Sequence, residues 1–174
     1  MSRRSVSKML VLLLLCGCAP KQVQGEIIPV SREEEIDVSE QNAIAETIME
    51  TLGNQDEMTR IKDRMMIGML LDGDASLIDG GVLYLAEEED NADAVGVFDT
   101  QHLQECRQHI QDYLKQQKLN AEYYSPDEAI KVSNAVVVDN KENRIILIIH
   151  KDIASAQKIA QTVASLIEDG ESIM

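Results

Sequence analysis

Tryptophan is absent from this chain, and phenylalanine occurs once, at Phe98. Aromatic platforms on which bases or sugars could stack are therefore scarce. Basic residues are outnumbered, 16 to 31, for a formal net charge of -15. That balance argues against a nucleic-acid partner, because phosphate backbones reward clustered Lys and Arg. It argues equally against adsorption to anionic lipid, so any membrane contact needs another cause. The three cysteines, Cys16, Cys18 and Cys106, cannot build a disulfide framework. No G-x-S-x-G elbow and no Gly-rich phosphate loop is present, and no pattern asks for a cofactor. Acidic pairs beside glycine, as in Asp72-Gly73-Asp74, lack the rest of a calcium-loop pattern.

No long apolar run is present either. Met9 to Leu15 is apolar throughout, but seven helical residues rise only about 11 Å, against ~30 Å of hydrocarbon. With Arg3, Arg4 and Lys8 before it and small residues after it, the stretch has the layout of a secretory signal peptide. Leu15-Cys16-Gly17-Cys18 resembles the lipobox of bacterial lipoproteins. The resemblance implies a diacylglyceryl group on Cys18 and cleavage before it, so residues 1–17 read as a signal peptide. Each buried lipid CH₂ contributes about 0.8 kcal/mol, so two or more acyl chains hold a protein on a membrane. The expected location is the outer face of the cell membrane.

Residues 18–37 hold Pro20, Pro29 and Arg32-Glu33-Glu34-Glu35 with little apolar content, and read as a flexible acidic tether. Residues 38–174 read as a single domain. Asp37 or Ser39 suits the cap of a first helix, with Ile44, Ile48, Met49 and Leu52 at helical spacing and Gly53 as its stop. A second helix is expected over Met58 to Leu71, with Ile61, Met65 and Met69 on one side. Asp79-Gly80-Gly81 reads as a turn.

A strand-strand-helix unit then occurs twice. In the first, strands at Val82–Ala86 and Ala94–Phe98 precede a helix capped by Thr100 and ending near Leu119. Its inward face is Leu103, Cys106, Ile110, Tyr113 and Leu114. In the second, strands at Ala135–Val138 and Arg144–His150 precede a helix capped by Asp152, with Gly170 as its stop. Between the units, Ser125-Pro126-Asp127-Glu128 forms a capping box opening a short helix through Val132, and Tyr123 and Tyr124 are expected over the sheet edge. The fold class is α+β: a four-stranded, mainly antiparallel sheet with helices packed on it, plus N-terminal helices. Ile145 to Ile149 is apolar at every position, which requires burial on both faces. The helices of residues 39–71, or a second copy of the chain, are the candidates to cover the second face.

From about Ile61 to Ile167 the chain resembles an uncharacterised lipoprotein family of Firmicutes, chiefly clostridial, defined by a domain of unknown function. The residues carrying the resemblance are Met69-Leu70-Leu71-Asp72, Val82-Leu83-Tyr84-Leu85, Tyr124-Ser125-Pro126-Asp127-Glu128, Ala135–Val138 and Ile145–Ile149. Family members usually follow a lipobox and tend to carry an acidic residue just before the second strand, where Asp93 lies. The family brings no catalytic residues with it.

One metal-ligand pattern stands out. His102, Cys106 and His109 share one helical face at i, i+4 and i+7, a spacing suited to zinc or copper. The competing use of the same residues is a buried thiol inside the apolar stripe with histidines at its border. His150 reads as structural. Taken together, the sequence predicts a non-enzymatic binding or scaffolding module with an extracytoplasmic protein partner. A metal or small-ligand capture protein is the second reading, and an extracytoplasmic enzyme or an inhibitor of one is the third.

Overall fold

Val, Ile and Leu at every position of Arg144–Ile149 need apolar neighbours above and below, and the fold supplies both. In the computed structural model the residues described are 37–168; the lipobox, most of the tether and Gly170 lie outside them. Five strands form one antiparallel sheet. They are β1 (Met58–Arg60), β2 (Gly80–Ala86), β3 (Ala94–Asp99), β4 (Val136–Asp139) and β5 (Arg144–Ile149), in the order β1-β2-β3-β5-β4. Five α-helices join them: α1 (Ser39–Leu52), α2 (Asp63–Leu70), α3 (Leu103–Tyr124), α4 (Pro126–Ser133) and α5 (Ile153–Glu168).

The alternation of side chains along each strand divides the core in two. Val82, Tyr84, Val95, Val97, Ile146 and Ile148 face α1 and α5. Leu83, Phe98, Ile145, Leu147 and Ile149 face α2, α3 and α4. The sheet is thus covered on both faces within one chain.

The fifth strand corrects the four expected. Met58–Arg60 does not begin a helix; it pairs with β2 in the register Met58↔Ala86, Thr59↔Leu85, Arg60↔Tyr84. The Ile61 N–H extends the ladder by donating to Leu83 O at 2.8 Å. Without this strand the outer backbone groups of β2 would lack a ladder, a cost larger than the weak helix preference of three residues. The shortened helix α2 also changes phase. Met66 and Leu70 point into the core, while Met65 and Met69 are exposed.

The two long helices lie on opposite faces, α3 on one and α5 on the other. Each shares its face with N-terminal elements: α1 lies beside α5, and α2 lies with α3. Smaller corrections have local causes. Gly80-Gly81 opens β2 instead of forming a turn. A Cβ at Gly81 would fall 2.8 Å from Phe98 Cδ1, so the ring occupies the space a side chain would need. Helix α3 runs on to Tyr124, which carries Tyr123 into solvent at 86% exposure and not over the sheet. Thr100 stands ahead of that helix: its hydroxyl donates to Leu77 O and accepts from the His102 N–H.

The start of α1 differs from expectation, since Val38 stands at its cap with no side-chain cap bond, while two other boundaries fall where expected. Gly53 ends α1 in the left-handed region, at φ 74°. Asp152 accepts from the Ser155 amide and hydroxyl at the start of α5. Those bonds, the hydroxyl's first, lower the Asp152 pKa.

Candidate binding cleft

The loop between β2 and β3 carries Glu87, Glu88, Glu89 and Asp90, which repel one another and need an anchor. Lys131 on α4 supplies it. Its ammonium donates to Asp93 Oδ1 at 2.8 Å and to Asn91 Oδ1 at 2.9 Å, and pairs with Glu128 Oε2 at 2.8 Å. The Lys131 side chain is 12% exposed and that of Asp93 7%, so solvent screens this cluster little. Burial pulls the Lys131 pKa down, but the hydrogen bonds to Asp93 and Glu128 outweigh it, and the net shift is upward.

The sequence placed an acid just before the second strand, and Asp93 directly precedes β3. Its second oxygen accepts from Asn54 Nδ2 at 3.3 Å, which ties the end of α1 into the same cluster. Glu128 completes the frame by accepting from the Ala92 N–H at 2.7 Å. This use of Glu128 replaces the expected capping box: Ser125 makes no side-chain cap to α4, although Pro126 does occupy its first turn. Lys131 was not singled out by sequence reasoning. Its signal was the Glu128–Lys131 spacing of i, i+3, which places opposite charges on one helix flank.

Outside this frame lies a cleft of about 430 Å³ between the loop, α3 and the start of α4. Asp90, Asn91, Gln117, Asn120, Ser125 and Glu128 are among its walls. The lining offers carboxylates, carboxamides and a hydroxyl, with no Lys or Arg. Its volume lies in the range of small-ligand sites, and its walls combine apolar surface with hydrogen-bonding groups.

A second polar cluster sits at the opposite end of the sheet. Arg144 donates through Nε to Asp99 Oδ1 at 2.5 Å and through Nη2 to Asp99 Oδ2 at 2.9 Å. Its Nη1 reaches Glu40 at 2.8 Å, and Gln41 Nε2 also donates to Asp99. The cluster pins the first turn of α1 to the sheet. The hydrogen bonds with Asp99 raise the Arg144 pKa, against the opposing effect of burial.

The three residues of the metal-ligand pattern do not converge. Cys106 is fully buried beside Ile110, and burial alone pushes its thiol pKa up to about 11. His102 is exposed and stands 3.6 Å from Glu105. Among the described residues, no group of three or more His, Cys, Asp or Glu is arranged to hold a metal ion. His150 is buried, and its Nδ1 accepts from the Asp152 N–H at 3.1 Å. The lipobox residues Leu15, Cys16, Gly17 and Cys18 lie outside the described residues. No helix among the described residues is long and apolar enough to cross a membrane. No protein-family profile, curated protein or solved structure matches this chain.

Proposed function

We propose that this chain is a lipid-anchored extracytoplasmic lipoprotein whose body is a non-enzymatic binding or scaffolding module. The lipobox-like Leu15-Cys16-Gly17-Cys18 supports the anchor, with Cys18 as the lipidated residue. The resemblance to the clostridial-type lipoprotein family belongs to the same reading. The observation that carries the binding part is the cleft beside Lys131. Its frame spends Lys131, Asp93 and Glu128 on one another and on backbone, which suits a rigid recognition surface. The partner in this reading is an extracytoplasmic protein that presents hydrogen-bond donors to the cleft.

In-cell crosslinking of the full chain, followed by mass spectrometry, tests the reading. Cys18→Ser serves as the mislocalised control, and Asn120→Arg fills the cleft mouth with a charged side chain. A partner captured by the wild type and lost with both variants is the expected result. A purified chain that turns over a substrate, or a captured partner indifferent to both variants, overturns it.

A further inference from the structure

A sheet with two ends must expose or guard its outer strands. Strand β1 is guarded: it is three residues long, carries Arg60 paired with Asp63, and is followed by Lys62. Strand β4, at the other edge, is also short, at four residues, but it carries no basic residue, and no strand among the described residues pairs with its outer side. Its sequence is Val136-Val137-Val138-Asp139, without Pro, Lys or an inserted residue.

The direction of its backbone groups follows from the turn. The Asn140 N–H donates to Arg144 O at 3.0 Å, which fixes the phase of the β4–β5 ladder. With Val138 opposite Ile146 and Val136 opposite Ile148, Val136 and Val138 bond inward to β5. Val137 and Asp139 therefore direct N–H and C=O away from the sheet. The Ala135 N–H donates to Val132 O, which leaves Ala135 its carbonyl.

We infer that the outer edge of β4 is a self-pairing edge, through which two copies of this chain join their sheets antiparallel about Val137. A two-fold axis at Val137 sets it opposite the partner's Val137 and sets Asp139 opposite the partner's Ala135. Each copy then donates from Val137 N–H to the partner's Val137 carbonyl and from Asp139 N–H to the partner's Ala135 carbonyl. This symmetry gives partners to the Val137 N–H and carbonyl, the Asp139 N–H and the Ala135 carbonyl; the Asp139 carbonyl stays outside the new ladder, because the Ala135 N–H opposite it is held by Val132 O. The two Asp139 carboxylates do not meet across the axis, and each already pairs with its own Arg107.

The charge beside this edge is nearly balanced on its α3 side. On one flank, Arg107, Lys115 and Lys118 face Asp112, Glu122 and Asp139, a neutral balance in a chain of 31 acids to 16 bases. On the other flank α5, which packs against β4, has Asp152 at its cap, Lys158 along its length and Glu168 as its last residue. Like-charge repulsion between two copies is therefore reduced on the α3 flank of the open strand.

Proline at position 137 acts on this pairing by removing an outward N–H while leaving the β5 ladder whole, at the cost of the partial packing of Val137 on the α3 side of the core. The test is sedimentation of the full chain in detergent, together with amide hydrogen exchange at rising protein concentration. A dimer that Val137→Pro converts to a monomer whose β5 amides stay protected is expected. A monomer at every concentration, even one whose edge pairs with a strand of another protein, overturns the inference. So does a dimer that survives Val137→Pro. If that variant fails to fold, the wild type decides: protection of the Val137 and Asp139 amides that appears with dimer mass supports the pairing, and free exchange of both within the dimer overturns it.

Discussion

Arg144 and Asp99 stand directly opposite each other on neighbouring strands, and the guanidinium grips the carboxylate with two parallel hydrogen bonds. This pair joins the return strand of each strand-strand-helix unit at one end of the sheet. It also receives α1 through Glu40 and Gln41. Removing one partner of a buried pair leaves the other charge uncompensated, at a cost of roughly 3–5 kcal/mol. Arg144→Met is therefore expected to lower unfolding free energy by about 3 kcal/mol in urea titration. Arg144→Lys should recover only part, since a point charge cannot reproduce the bidentate grip. A loss under about 1 kcal/mol for Arg144→Met would show that the clamp contributes little.

Phe98 lies against two glycines. A Cβ on Gly96 would fall 2.5 Å from Phe98 Cζ, and the ring is buried among Leu83, Ile145 and Leu147 with little room to retreat. Gly96→Ala is expected to cost about 1–3 kcal/mol by overpacking. Phe98→Leu should cost stability alone yet relieve the Gly96→Ala penalty, giving a favourable coupling in a double-mutant cycle. Additive losses would mean that the ring does not set the glycine requirement.

Strands were legible from composition because β-branched runs such as Val136-Val137-Val138 and Ile145–Ile149 leave few alternatives. Coverage of β5 on both faces followed from its lack of alternation. Strand β1 was harder. Met58-Thr59-Arg60 is too short to show a period, and its strand state comes from the backbone groups of β2 it satisfies. The face chosen by each helix was also hidden, since an apolar stripe states that a helix packs but not on which side of a sheet. In the frame beside the cleft, Asp93 was visible as an acid before a strand. Lys131 was not, because its partners lie some 40 residues away, at Asn91 and Asp93.

Alkaline pH is expected to destabilise the fold. Burial raises the Cys106 pKa from 9.0 to about 11 and the Tyr113 pKa from 10.0 to about 12. A raised folded-state pKa means that the unfolded chain releases its proton first. The stabilisation is complete below the unfolded values and declines as pH rises toward the folded ones. Lys131, also shifted upward, loses its contribution in the same direction. Thermal midpoints should hold near neutrality and fall from about pH 9, the onset set by the thiol. Cys106→Ala should delay that onset until the tyrosine range. A midpoint unchanged between pH 9 and 11 would contradict the burial of these groups.

Lys131→Met is expected to release the β2–β3 loop, because Asp93 and Glu128 lose their shared counter-ion. The stability loss should be about 3 kcal/mol, as for other buried pairs broken on one side. Amide exchange at Ala92, now held by Glu128, should rise in the variant while β5 amides stay protected. Unchanged exchange at Ala92 would show that the loop is held without Lys131.

A membrane-held binding module needs an anchor, and the acidic surface does not supply one. Mass spectrometry of the N-terminal peptide of the chain recovered from a bacterial membrane fraction measures it directly. The predicted peptide begins at Cys18 and carries a diacylglyceryl mass, and Cys18→Ser abolishes both the mass and the cleavage. A chain that retains residues 1–17, or one cut elsewhere with an unmodified Cys18, would contradict the account.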